Sequence, residues 1–258
     1  LMFYIITDPS TWFAAFRTGR ILLTSQGGGG LNPTRAAITE RELKGKARPL
    51  RYVAMSNAFI LNNLSKKPLD DVKVRQALNL AVDRPSFIKL AFEGEGMLST
   101  YFMPEPYGKW ELPNAEIVKT PGYRTDKAVD IEEAKKLLAE SGHAKDLSLT
   151  ITARSIHSRA VEVLREQFKA AGIDLKLEVL ETGVWQDRKT RLAYELLFDT
   201  WGVDSDDPSA WLDSVLSADP SYRDAQIDEW MKAQARTLDL EERKKLVAQM
   251  EKAALSTY

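Results

Sequence analysis

The sequence predicts an α/β fold with a parallel β-α-β-α-β core and helices closing the C-terminal end. Three observations predict it. LSLTITA, residues 147 to 153, and IDLKLEVL, residues 173 to 180, alternate apolar and polar residues with the period of two that a half-buried strand imposes. Between them Val161, Leu164, Phe168 and Ala171 recur at helical spacing, and Gly172 stops that helix. A second helix, from Thr182 to Ala193 with Trp185 and Leu192 inward, leads into a third strand, ELLFDTW, residues 195 to 201. Right-handed crossovers make three such strands parallel.

The elements before this core read in order. LMFYII opens the chain as a strand. In TDPSTWFAAFRTGR a short helix runs from Thr11 to Thr18, capped by Ser10 and ended by Gly19. SQGGGG, residues 25 to 30, has neither the Gly-Lys-Ser nor the spaced glycines of a phosphate loop, and Pro33 nearby offers no N–H, so it reads as a flexible connector. The basic run from Arg41 to Arg51 is a solvated face. NAFILNN, from residue 57, is a strand. Val74, Ala77, Leu78, Ala81 and Val82 mark a helix capped by Asp70 or Asp71. Another helix restarts after Asp83 with Pro85 in its first turn, where the missing N–H costs nothing. GEGMLSTYFMPEPYGKWELPNAEIVKTPGY is loop, and DIEEAKKLLAESG is a helix with Asp130 as cap, Glu133 completing a capping box and Gly142 at its end. After the core come helices from Pro208 to Leu216, Ala225 to Thr237 and Leu240 to Leu255, the last with Asp239 and Glu242 as a capping box.

Composition bounds the function. The chain has 258 residues, 44% hydrophobic and 28% charged, enough to bury a core. Its formal net charge of −1 supplies no global field toward nucleic acid or an acidic membrane. With 0 cysteines it has no disulfides, thiolate zinc sites or cysteine nucleophiles. No apolar run approaches the roughly 18 residues of a membrane span. The chain starts at Leu1 directly in a strand pattern and stops at Tyr258 just after a helix, so it reads as a piece of a longer protein.

Ligands of open α/β sheets bind beyond the carboxyl ends of the strands. Three segments emerge there: Arg154 and Ser155 after the first strand, Glu181 after the second, and the acidic run Asp204, Asp206, Asp207 after the third. A cation and an anion on one rim suit a small zwitterion. The acidic run imitates the start of a calcium loop, but that loop needs Gly sixth and Glu twelfth, where this chain has Ser209 and Val215. His143 and His157 stand in different elements without ligand spacing, so no metal site is expected. Asp207 caps the helix opened by Pro208, Asp206 is solvated, and Asp204 lies too far from that helix to cap it. There is no Gly-x-Ser-x-Gly elbow, and Ser155 near His157 has no placed acid, so no enzyme is expected.

PLDDVKVRQALNLAVDR resembles the sequence that marks family 5 extracellular solute-binding proteins, the dipeptide-, oligopeptide- and nickel-binding receptors of ABC importers. DIEEAKKLLAESG, AAGIDLKLEVLE and FDTWGVDSDDPSAWLDSVLS are similar to further family stretches in the same order, as is DPSTWFAAFRTGRI near the start. Leu69 stands where an aromatic residue is common, and Thr182 follows Glu181 where a tryptophan is usual. The resemblance implies a lobe of the class II periplasmic-binding-protein type, with ligand enclosed between two lobes. Residues 1–56 would be a remnant of the first lobe and 57–258 the second. It implies that Asp204 of Trp201-Gly202-Val203-Asp204 binds a peptide α-ammonium, with Trp201 beside it. It also implies an arginine after the first parallel strand for the peptide carboxylate, Arg154 or Arg159.

The implied function is the substrate-binding component of an ABC transporter that captures peptides. Its partner would be a membrane permease. No cofactor and no nucleic acid are implied, and the full-length protein would be a monomer. It would be exported to the periplasm or held at the cell surface as a lipoprotein. A receptor for a nickel chelate, opine or sugar on the same fold is the alternative. A metal-dependent hydrolase using the loop 204–207 is the rival from another class.

Overall fold

Short polar side chains placed just ahead of helical runs decide where the helices of this protein begin. The computed structural model describes all residues except 1–3, 7, 23–30, 52, 103, 105, 145–146, 204, 212–223 and 258. The chain divides into two compact units, residues 1–53 and 54–258.

The first unit carries α1 (Pro9–Arg17) and α2 (Pro33–Glu42). Asp8 caps α1, accepting the Thr11 N–H at 2.7 Å, and Asn32 caps α2, accepting from Arg35 N at 2.8 Å. The cap of α1 is therefore Asp8 and not Ser10. Pro9 at the first helical position has a φ already suited to the helix, so the start moves ahead of it. Trp12, Phe13 and Ala36 are buried, and the Arg35 guanidinium lies 5.4 Å from the Trp12 ring centroid. Residues 4–6 form no strand. Residues 1–3 of the expected strand lie outside the described residues, and Ile5 is 94% exposed. The glycine run at 25–30 lies outside the described residues.

Among the described residues the second unit contains one sheet. Its strands are β1 (Ser56–Asn62), β2 (Ser148–Arg154), β3 (Asp174–Leu180) and β4 (Leu196–Gly202), in the order β1-β4-β2-β3. β2 runs parallel to both β3 and β4, as the β-α-β-α-β pattern requires. β1 joins the far side of β4 antiparallel, with Ser56 opposite Gly202 and Asn62 opposite Leu196. A side chain at Gly202 would put its Cβ 2.2 Å from the Met55 carbonyl oxygen, so the close approach there needs glycine.

One face of the sheet is apolar. Leu149, Ile151, Ala153, Leu175, Leu196 and Phe198 pack against α3 (Val72–Ala81), α4 (Arg84–Ala91), α6 (Lys127–Glu140) and α7 (Ser158–Ala170). Asp71 caps α3 and Asp83 caps α4. Among its described residues the loop before α6 carries only the short α5 (Asn114–Ile117).

α6 begins one turn earlier than its sequence pattern indicates. Asp126 is its cap, accepting from the Ala128 N–H, and Asp130 sits inside the helix with 0% exposure. Asp130 is held by Arg124 at 2.9 Å and Lys127 at 3.0 Å, and Glu133 turns to Arg124 instead of back to a cap. A buried carboxylate needs such partners, and no local capping pattern reveals them.

The opposite face is smaller. α8 (Thr182–Thr190) lays Trp185 over Leu61, Tyr194 and Leu197. α8 stops three residues short of Ala193 because Leu192 has a φ of 52°. The Asn63 side chain fixes that turn, its Nδ2 donating to the carbonyls of Leu192 and Tyr194 at 2.9 Å each. Leu192 still packs inward against this cluster. A helix starts at Pro208, but residues 212–216 of the expected span lie outside the described residues. α9 (Ala225–Arg236) and α10 (Leu240–Thr257) complete the unit, and Asp239 accepts the Glu242 N–H at 2.8 Å at the start of α10. No helix among the described residues is long and apolar enough to cross a membrane.

Candidate functional site

The carboxyl ends of β2, β3 and β4 open on the same side because the three strands are parallel. Alternation along β2 sends Ile151 and Ala153 into the main core and leaves Thr152 and Arg154 on the α8 face. Asp199 takes the corresponding place near the end of β4. These two residues meet: Arg154 Nη2 donates to Asp199 Oδ1 at 2.9 Å. Lys189 Nζ, from the last turn of α8, donates to Asp199 Oδ2 at 2.9 Å, and the Thr200 backbone N–H donates to Oδ1 at 2.8 Å. Asp199 is 3% exposed, so its charge is compensated by partners and not by water.

Aromatic rings wall the cluster. The Arg154 guanidinium lies 5.0 Å from the Trp185 ring centroid, and Lys189 Nζ lies 4.3 Å from that of Trp201 and 5.1 Å from that of Trp185. Phe59 meets Trp201 edge to face at 4.3 Å. The rings exclude water and add cation–π attraction. Two cations against one carboxylate leave the cluster one net positive charge.

His157 closes the cluster from the turn after β2. Its Nε2 lies 3.1 Å from Arg154 Nη2 and 3.3 Å from Thr200 Oγ1. A guanidinium only donates, so Nε2 accepts and the neutral ring carries its proton on Nδ1. Burial, and then the Arg154 charge, push the imidazole down to about 4 against a weaker opposing pull from Asp199.

The rim residues singled out by sequence divide. Arg154 and Trp201 belong to this cluster. Arg159 does not: it stands in the first turn of α7, 60% exposed, 3.8 Å from Glu93. Glu181 precedes α8, exposed, and makes no side-chain cap bond. Asp204 lies outside the described residues. Asp207 caps the helix at Pro208, accepting from Ser209 N at 2.9 Å, and also receives Arg243 at 2.8 Å. Asp206 is not solvated as its position in the loop predicts. Its Oδ1 is buried without a hydrogen-bond partner, and burial raises its pKa above the ordinary carboxylate value. Among the described residues no three histidines, cysteines or carboxylates group as metal ligands.

Asp199 and Lys189 escape sequence reasoning. The one available signal is that Asp199 is the single charge inside LLFDTW, at a strand position where solvation alone does not account for it. A separate recess of about 440 Å³, lined by residues including Asn79, Leu80, Glu116, Leu137, Lys252 and Leu255, lies among helices and away from the strand ends. The strand ends carry the converging charges, so they are the better candidate.

The family described as bacterial extracellular solute-binding proteins, family 5 (middle region), matches residues 1–223. The chain belongs to this family. Family 5 likeness extends to the periplasmic oligopeptide-binding protein OppA of Haemophilus influenzae, 29% identical over 99% of this chain and 48% of that protein. Di/tripeptide-binding protein 1 of Pseudomonas aeruginosa is 25% identical over 96% of this chain and 46% of that protein. The crystal structure of Haemophilus influenzae OppA in complex with RPPGFSPFR superposes with a TM-score of 0.78, at 28% identity, over 97% of this chain and 49% of that one. The chain thus spans about half the length of these family 5 relatives.

Proposed function

We propose that this chain is the greater part of one ligand-binding lobe of a peptide receptor serving an ABC importer. The carrying observation is the family 5 match over residues 1–223, joined by the likeness to an oligopeptide-binding protein seen with a peptide. In this reading residues 57–258 form the second lobe and 1–56 belong to the first. Peptide lies across the carboxyl ends of β2, β3 and β4, between the lobes of the full-length protein. The receptor is exported and delivers its ligand to a membrane permease. It binds without catalysis.

The site reading assigns Asp204 to the peptide ammonium and the opposite end of the rim to a carboxylate. Asp204 is two residues beyond the end of β4, and Val203 is tied to the sheet by its N–H to the Met55 carbonyl at 3.0 Å. Arg154 is already engaged by Asp199, so a ligand carboxylate shares it. The surplus positive charge from Lys189, whose side chain is 25% exposed, supports that sharing. Trp201 forms the wall between the two ends. The test is mass spectrometry of small molecules that co-purify with the full-length protein, followed by calorimetry with those found. Peptides in the bound fraction support the reading, and nickel chelates, opines or sugars in their place refute it.

A further inference from the structure

α10 meets the loop between α4 and α6 through two carboxylates that have no base. Glu251 of α10 is 1% exposed, and its Oε1 accepts from the Thr100 hydroxyl. Glu111 accepts the Thr100 N–H on Oε1 and the Phe102 N–H on Oε2, the latter at 2.8 Å. Thr100 therefore serves both acids, one from its amide and one from its hydroxyl, and holds them side by side. Glu251 Oε2 is buried with no hydrogen-bond partner.

The charged groups around the pair are committed elsewhere. Lys252 turns to Glu116 at 2.9 Å, Arg84 lies 3.9 Å from the Tyr123 ring centroid and bonds Gly122 and Asn79, and Arg243 bonds Asp207 and Gln234. Tyr123 is buried beside the pair, and burial raises its own pKa so that it stays neutral. Among the described residues no lysine or arginine forms an ion pair with Glu111 or Glu251. Two anions in one dry site without a cation repel, so the site keeps a proton. Burial raises Glu111 to about 7, and burial followed by the Glu111 charge raises Glu251 to about 8.

We propose that Glu111 and Glu251 share a proton and form a latch that fastens α10 to the loop at Thr100, Phe102 and Glu111 and loosens when that proton is lost. With the proton present, one carboxyl donates to the other and the orphaned Oε2 gains a partner. With both ionised, the two sides of the contact repel. The folded values lie above the ordinary carboxylate value of 4.5, so the contribution is fully present below about 4.5 and is lost as pH rises through 7 and 8. This latch does not depend on which ligand the rim binds.

Carboxyl carbon shifts of labelled glutamates and amide hydrogen exchange, both followed by NMR on the full chain from pH 5 to 9, test it. Two glutamate carboxyls titrating above pH 6 are expected, with protection in α10 and residues 98–102 and 106–112 falling by at least about tenfold per pH unit, beyond the intrinsic rate change, between about pH 5 and 7, where the latched state keeps a proton that the opened state has lost, and levelling off above about 8. Glu251→Gln, which keeps the shape without the charge, should reduce that slope to the share of Glu111 alone. All glutamates titrating near 4 to 5, or an unchanged slope in Glu251→Gln, overturns the proposal. If Glu251→Gln fails to fold, the carboxyl titration in the unmodified chain decides alone.

Discussion

Asp199 and Arg154 lie 2.9 Å apart, each two residues beyond the Thr152–Leu197 pair that joins their parallel strands. Lys189 approaches the other oxygen of Asp199. Replacing Asp199 by Asn leaves two cations facing each other over Trp185. The loss of stability should be about 2 to 5 kcal/mol, since breaking a largely buried pair strands the partner charge. Urea denaturation of the chain measures it, and a change below about 0.5 kcal/mol would show that the pair is solvated.

The same network makes an acid-side prediction. His157 is held near 4, below its ordinary 6.5, so the unfolded chain binds a proton that the folded chain refuses. Stability from this group is full above about 6.5 and declines as pH falls toward 4. Imidazole carbon shifts should show His157 neutral down to about pH 4, and His157→Gln should flatten the stability profile between pH 6.5 and 4.

Asp130 and Lys135 give a contrast within α6. Asp130 is fully buried between Arg124 and Lys127, whereas Lys135 and Glu132 are 48% and 74% exposed. Asp130→Ala should cost about 3 to 5 kcal/mol by emptying a buried site and stripping Lys127 of its carboxylate, while Arg124 keeps Glu133. Lys135→Ala should cost roughly 0 to 1 kcal/mol. Equal costs in thermal denaturation would refute the assignment of Asp130 as a buried hub.

Ligand binding separates two neighbouring acids. Under the proposed peptide reading, Asp204→Asn in the full-length protein should weaken peptide binding by tens-fold or more, on the order of the 2 to 5 kcal/mol lost when one member of a desolvated charge pair is removed. Asp206→Asn should leave affinity within about threefold, because the buried Asp206 oxygen makes no bond that the amide would lose. Calorimetry on both variants compares them, and equal small effects would remove Asp204 from the site.

Gly202→Ala should destabilise by about 1 to 3 kcal/mol, as overpacking against backbone does. The added Cβ would fall 2.2 Å from the Met55 carbonyl oxygen, which cannot swing away as a side chain can. A melting temperature unchanged from the parent chain would show that β1 yields there.

The parallel core was legible because each strand and helix carries its own period. LSLTITA and IDLKLEVL alternate, and Val161, Leu164 and Phe168 recur at helical spacing, whatever they pack against. Asp130 misleads for the opposite reason. Asp126 and Asp130 both precede helical residues, and Asp130 is interior because Asp126 takes the cap while Arg124 and Lys127 close on the buried carboxylate. At the rim, sequence placed Arg154 and Trp201 at the strand ends but not the claim of Asp199 on Arg154. That contact spans 45 positions and depends on how β2 and β4 are paired. The shared role of Thr100 toward Glu111 and Glu251 is illegible likewise, since it joins residues 151 positions apart.

The antiparallel edge of the sheet bears on how the chain folds in time. β1 is made well before β4, its sheet neighbour among the described residues, and the Asn63 side chain that ends this edge reaches a carbonyl 131 positions later. Until β4 has been made, β1 lacks this partner, and its NAFILN backbone is a template for any other strand nearby. Such distant pairing slows folding, because the intervening loop must close before its contacts repay the lost entropy. A chain truncated before Leu196 should therefore hold its helices loosely and self-associate through β1.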